Sequence, residues 1–241
     1  MRKELEQTYR SEAEASPTAA GPSAVSHPTP PRPDPQKIEP GKFIYPLTSL
    51  LDPLDLQRIF PKPQPVEIEL GAGDGGFLIE YARRHPERNF LGVERLLGRL
   101  RKIDKKAQRA GLTNVLALRL EASYLVRYLL PPNSVAAFHI YFPDPWPKKK
   151  HQKRRLVKPE FAQWAYRALE PGGFVYLRTD SESYFEQMRE SFGGHPGFQE
   201  VETPPELASI LTDFERDFVA EGRTIFRIAY QKRPEPTTSS P

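Results

Sequence analysis

Four carboxylates and a glycine run stand where an α/β sheet would collect its chemistry. The stretch Glu69-Leu70-Gly71-Ala72-Gly73-Asp74-Gly75-Gly76 follows directly on the apolar run Val66–Leu70. Glycine at a strand-to-helix junction permits positive φ and lets the backbone approach a ligand, while the first turn of the helix offers N–H groups without intrahelical partners. The spacing of Gly71, Gly73 and Gly76 fits a dinucleotide fingerprint, and Glu94, about 20 residues further on, is placed to accept from ribose hydroxyls. Glu69 bears on which cofactor fits. A carboxylate at the mouth of the sheet repels a pyrophosphate and attracts a cationic amino or sulfonium group. That favours S-adenosylmethionine, although an NAD-dependent dehydrogenase shares the glycine loop. Glu121, after the third strand, sits where an adenine would lie in a doubly wound sheet, or caps a helix whose dipole favours an acid there.

Asp144 opens a second cluster, Phe142-Pro143-Asp144-Pro145-Trp146-Pro147, running into Lys148-Lys149-Lys150-His151-Gln152-Lys153-Arg154-Arg155. Ligands of open α/β sheets bind beyond the carboxyl ends of the strands, which brings Asp144 to the same crevice as the glycine loop. Three prolines restrict the loop and aim its groups. Six Lys or Arg in eight residues beside an aromatic suit a phosphate backbone and an unstacked base. A second basic cluster, Arg95 to Arg109, lies off the apolar stripe Leu96, Leu97, Leu100, Ile103 and Ala107 and reads as the outer face of an amphipathic helix.

The elements that must position these residues alternate strand-like and helical patterns, the mark of a mostly parallel sheet covered by helices on both faces. Strands are expected at Val66–Leu70, Asn89–Val93, Val115–Leu120, Val135–Tyr141, Gly173–Thr179, Phe198–Val201 and Thr224–Tyr230, about seven in a Rossmann-like α/β domain over residues 43–232. Helices are expected up to Arg84 and over Leu96–Ala110, Lys158–Leu169 and Glu182–Phe192. The connection Glu202–Gly222, with Thr212-Asp213-Phe214-Glu215, reads as a long functional loop. Residues 1–42 form a proline-rich arm, with eight prolines in the 25 residues from Ser16 to Pro40, and residues 233–241 a similar tail. With no cysteine among 241 residues and no metal-ligand spacing among five histidines, neither disulfides nor a protein-bound metal are expected. The N-terminus lacks an apolar signal segment and no run is long enough to cross a bilayer, so a cytoplasmic protein is expected.

These motifs together resemble the bacterial tRNA (guanine-N7-)-methyltransferases, over Val66 to about Tyr230. Pro143–Arg155 is the most specific match, with Glu69–Gly75, Glu94, Thr179-Asp180 and Thr212–Glu215 beside it. The resemblance implies methyl transfer from S-adenosylmethionine to N7 of guanine 46 in the tRNA variable loop, by a monomer or homodimer. By the family pattern Glu69, Glu94, Glu121 and Asp144 contact the cofactor; the loop glycines Gly71 and Gly73 are expected to line it too, and Asp144, a carboxylate at the crevice able to stabilise charge developing on the purine, is the expected catalytic residue. Lys148, Asp180, Thr212, Asp213, Phe214 and Glu215 contact the substrate nucleotide, while Lys150, His151, Gln152, Lys153, Arg154 and Arg155 contact the RNA. The chain departs from the pattern at Glu121, where the family has Asp or Asn, and at Ser181, where it has Trp.

Overall fold

A computed structural model describes residues 43–234; the expected arm, and the tail from residue 235 onward, lie outside the described residues. The strands are β1 (Ile44–Tyr45), β2 (Val66–Leu70), β3 (Asn89–Glu94), β4 (Val115–Arg119), β5 (Val135–Tyr141), β6 (Leu169–Thr179), β7 (Phe198–Val201) and β8 (Phe226–Lys232). They form one sheet in the order β1-β4-β3-β2-β5-β6-β8-β7. All neighbours pair in parallel except β8, which is antiparallel to both β6 and β7. Among the described residues the sheet has eight strands, one beyond the about seven expected. The addition is β1, whose two residues pair with Ala117 and Leu118 and are too few to show a period-2 pattern.

Helices connect the strands: α1 (Leu56–Ile59), α2 (Gly76–Arg84), α3 (Leu97–Arg109), α4 (Ala122–Tyr124, continuing as a π-helical turn over Leu125–Leu129), α5 (Pro159–Ala168), α6 (Glu182–Gly193), α7 (Pro205–Ser209) and α8 (Asp213–Ala220). None of them is long and apolar enough to cross a membrane.

Strand alternation sorts the interior into two cores. Val66, Ile68 and Leu70 of β2, Leu91 and Val93 of β3, and Phe138 and Ile140 of β5 pack with Phe161 of α5 and Met188 of α6. The intervening residues face α2 and α3, where Phe77, Leu78, Leu100 and Ile103 form the second core. That second face also carries the buried polar residues Glu67, Glu69, His139 and Arg178. Glu67 accepts from Arg88 and lies 2.6 Å from His139 Nε2, whose Nδ1 is 2.8 Å from the Tyr141 hydroxyl. Burial pushes the Glu67 carboxyl upward, but His139 and Arg88 outweigh it and leave it below the usual range.

The segment expected as a loop over 202–222 instead holds α7 and α8. Thr212 caps α8: its hydroxyl accepts from the Glu215 N–H at 3.0 Å, and the Glu215 side chain reaches back to the Thr212 N–H. Thr-x-x-Glu is the signature of such a capping box. Arg178 ties both helices to the sheet. Its Nη1 donates to Ile210 O (3.0 Å) and to Glu215 Oε2 (2.7 Å), its Nη2 donates to Leu207 O, and Arg227 donates to Glu215 Oε1 at 2.5 Å. Removing one partner of such a pair leaves an uncompensated charge in the interior. Glu215→Ala is therefore expected to lower the unfolding free energy by about 3–5 kcal/mol, measured by urea denaturation. A loss below ~1 kcal/mol would contradict this role for Glu215.

Candidate active site

The carboxyl ends of β2, β3 and β5 lie side by side, with Glu69 opposite both Gly92 and His139 in the pairing register. Chain reversal after β2 requires left-handed backbone, and Gly71, Gly73 and Gly75 have φ of 84°, 54° and 77°. The glycines differ in what surrounds them. A Cβ at Gly75 would stand 2.7 Å from Ile103 and one at Gly76 would stand 2.7 Å from Asp213, so these two are held by protein packing. A Cβ at Gly71 would meet nothing within 4 Å, and one at Gly73 only Arg99 at 3.9 Å. The two glycines singled out for cofactor contact thus face open space.

Glu69 is 4 % exposed, and its Oε2 has no hydrogen-bond partner. Burial holds its carboxyl well above the usual range; Arg178 opposes that shift, while Asp213 and Glu94 add to it. An orphaned acceptor beside open glycines is the feature that a cationic ligand group would complete. Glu94, also buried, ties the loop to α3. Its Oε1 accepts from the N–H groups of Arg95 (2.8 Å) and Leu96 (2.9 Å), and its Oε2 from Gly73 (3.2 Å). Glu121 lies one strand further out and spends its carboxylate as the N-cap of α4, accepting from the N–H groups of Ser123 and Tyr124 and from the Ser123 hydroxyl.

The loop after β5 leaves the sheet beside the glycine loop. Phe142 and Trp146 adopt φ of 51° and 42°, which non-glycine residues seldom do, and they bracket Asp144. Asp144 is exposed. Beyond Trp146, a 3₁₀ turn runs over Lys149–Arg154. Lys148, Lys149, Lys150, Lys153 and Arg154 are exposed, His151 and Gln152 half-buried. Arg154 lies over the Trp146 ring at 5.0 Å, and His151 meets its edge at 5.9 Å. On α3, Lys102 pairs with Asp74 at 2.6 Å and Lys106 with Asp213 at 3.7 Å, while Arg101, Lys105 and Arg109 are exposed.

Three expected contacts are corrected by the structure. Arg155 is 2 % exposed with its guanidinium bonded inside the protein, so it does not present a cation to RNA. Glu215 is fully buried between Arg178 and Arg227, and the Thr212 hydroxyl is occupied in the α8 cap; both hold α8 instead of facing a nucleotide. Asp213 and Phe214, the first residues of that helix, stand beside the glycine loop, Asp213 against Gly76 and Phe214 under the Arg99 guanidinium at 5.6 Å. Asp180 is paired with Arg223. Arg178 was missed; the available signal was a lone charge in the apolar strand Phe174–Thr179 of a sheet covered on both faces.

A doubly wound parallel sheet with an antiparallel final strand, a glycine turn after its central strand and an acid at the end of the next defines the class I methyltransferase type. The comparisons agree with that class. A family model described as "Putative methyltransferase" matches residues 63–228. The tRNA (guanine-N(7)-)-methyltransferase of Alkalilimnicola ehrlichii is 35 % identical over 188 residues, covering 76 % of this chain and 79 % of that protein. Its namesake from Syntrophotalea carbinolica is 34 % identical over 193 residues, covering 78 % and 83 %. The crystal structure of the 16S rRNA methyltransferase KamB superposes with a TM-score of 0.53 at 19 % identity, covering 71 % of this chain and 89 % of that one, a likeness of fold. The chain belongs to the tRNA (guanine-N(7)-)-methyltransferase family.

Because the folded carboxyl of Glu69 titrates above its unfolded value, the native state holds the extra proton, and native stability falls as pH rises from the ordinary carboxylate range toward the folded value. Glu69→Gln removes that term. The variant is expected to gain stability over the parent as pH rises above about 4.5 while binding a cationic ligand at least ~10-fold more weakly. Thermal unfolding across pH, with and without ligand, measures both. Equal stability of the two proteins at pH 5 and 8 would contradict the assignment.

Proposed function

We propose that the chain transfers a methyl group from S-adenosylmethionine to N7 of guanine 46 in the tRNA variable loop, working in the cytoplasm. The observation that carries this reading is the unpartnered Oε2 of buried Glu69 beside two glycines that face open space. The relatives of this family supply the acceptor, since their names specify tRNA and guanine N7. The unneutralised cations of Lys148–Arg154 supply the matching charge.

The cofactor contributes an electrophilic methyl group on a sulfonium. Gly71 and Gly73 would let the backbone approach it, Glu69 would hold its cationic portion, and Glu94, whose Oε2 accepts from Gly73 N–H at 3.2 Å, would accept from its ribose hydroxyls. Asp144 enters from the neighbouring strand end. Guanine N7 presents a lone pair at neutral pH, so no general base is needed, and positioning supplies most of the acceleration, about 7–11 kcal/mol in well-aligned systems. Positive charge developing on the purine is stabilised by the Asp144 carboxylate. Asp213 and Phe214, at the tip of α8 beside the glycine loop, form the opposite wall for the base.

Incubating the purified chain with labelled S-adenosylmethionine and unmodified tRNA, then mapping 7-methylguanosine, tests the reading; label elsewhere in the tRNA or none at all refutes it. Asp144→Asn is expected to lower kcat by about 10²-fold or more with a much smaller loss of cofactor affinity; near-normal turnover would remove Asp144 from the chemistry.

Replacing Lys149, Lys150, Lys153 and Arg154 with alanine is expected to flatten the dependence of tRNA affinity on salt, by roughly 3 in the slope of log K against log salt. An unchanged slope in a binding titration between 50 and 200 mM salt would make the run a solubilising face.

A further inference from the structure

Arg154 and Arg155 are neighbours in one basic run, yet the first is exposed and the second almost wholly enclosed. Arg155 makes its hydrogen bonds to two elements. Nε donates to the Pro145 carbonyl at 2.7 Å, in the loop that carries Asp144. Nη1 donates to the Ser183 carbonyl (3.1 Å) and to Gln187 Oε1 (2.9 Å), and Nη2 to the Ser183 hydroxyl (2.9 Å), all on α6. The guanidinium also lies 4.7 Å over the Tyr184 ring. Around it, Gln187 Nε2 donates to the Val157 carbonyl at 2.7 Å, and Val157 N–H donates to the Tyr184 hydroxyl at 2.9 Å. The loop it grips includes the left-handed residues Phe142 and Trp146. Non-glycine residues hold such conformations only where their surroundings fix them.

We propose that Arg155 is a positioning residue for Asp144: its planar fork clamps the Pro145 carbonyl to α6 and so fixes where the preceding carboxylate points. Lysine, a point charge with no planar fork, cannot span the same acceptors. This rests on the methyl-transfer reading, in which Asp144 meets the substrate.

The test compares the full chain with Arg155→Lys and Arg155→Ala in the tRNA methylation assay. Both variants are expected to lose kcat, by about 10²-fold for alanine, while KM for tRNA and the salt slope of tRNA binding stay at parent values. Guanidinium ion is expected to restore part of the lost kcat to Arg155→Ala. A slope reduced by roughly 0.7–0.9, the loss of one phosphate contact, with kcat retained, overturns the proposal in favour of an RNA contact. Ser183→Ala removes the Nη2 acceptor, together with a 3.5 Å contact to the Ser181 hydroxyl, and keeps the test open if the Arg155 variants fold poorly. A smaller fall in kcat with an unchanged slope is expected there, and unchanged kcat counts against the clamp.

A second readout needs no catalysis. The chain has two tryptophans, so in a Trp164→Phe background Trp146 reports alone, and Arg155→Ala is expected to make it more open to acrylamide quenching; equal quenching overturns the proposal. A parent chain that labels no tRNA sinks the methyl-transfer reading, whereas an active parent with parent-like Arg155 variants sinks only the clamp.

Discussion

Arg178 is the charge on which the upper half of the molecule depends. It is 1 % exposed on a strand covered on both faces, a position that costs several kcal/mol unless the charge is paired and hydrogen-bonded. Its guanidinium therefore gathers acceptors from elsewhere in the chain: the carbonyls of Leu207 and Ile210, the carboxylate of Glu215, and the face of Tyr141 at 4.1 Å. These contacts decide where α7 and α8 lie and set Asp213 and Phe214 against the glycine loop. The same cation opposes the upward shift of Glu69. A single buried arginine thus shapes both the wall of the crevice and the electrostatics of its floor.

Charge is handled in two ways on this protein. At Lys102 and Lys106 of α3, and in the buried chain from Arg88 through Glu67 and His139 to Tyr141, charged and polar groups meet partners within the fold. The Glu69 Oε2 atom has no hydrogen-bond partner, and Lys148, Lys149, Lys150, Lys153 and Arg154 stand exposed. An open carboxyl oxygen inside and a run of exposed cations outside fit one small cationic ligand and one large polyanion. The glycine loop alone does not make that distinction, because its left-handed turns serve any ligand that needs close backbone approach.

The sequence was legible where structure is local. The strands β2 to β6 and the glycine turn follow from short apolar strand-like runs and from the conformational freedom of glycine. It was less legible where a residue's role depends on a distant partner. Glu215 and Arg178 are 37 positions apart, and nothing adjacent to Glu215 marks it for burial. The Thr212-x-x-Glu215 capping box was in plain view, however, and would have converted the expected loop into a helix. Arg155 is indistinguishable from its basic neighbours by composition; only the turn of the chain over Lys149–Arg154 points it inward.

The two-residue strand β1 bears on how one edge of the sheet is closed. It covers the outer edge of β4, with Ala117 N–H donating to the Phe43 carbonyl at 2.7 Å and Phe43 N–H to Asp104 Oδ1 at 2.7 Å. Without it, β4 would expose a row of backbone donors and acceptors, the template by which sheets recruit strands from other molecules. Phe43–Tyr45 thus close that edge of the sheet, and a chain starting after Tyr45 would leave the edge of β4 open to strands of other molecules.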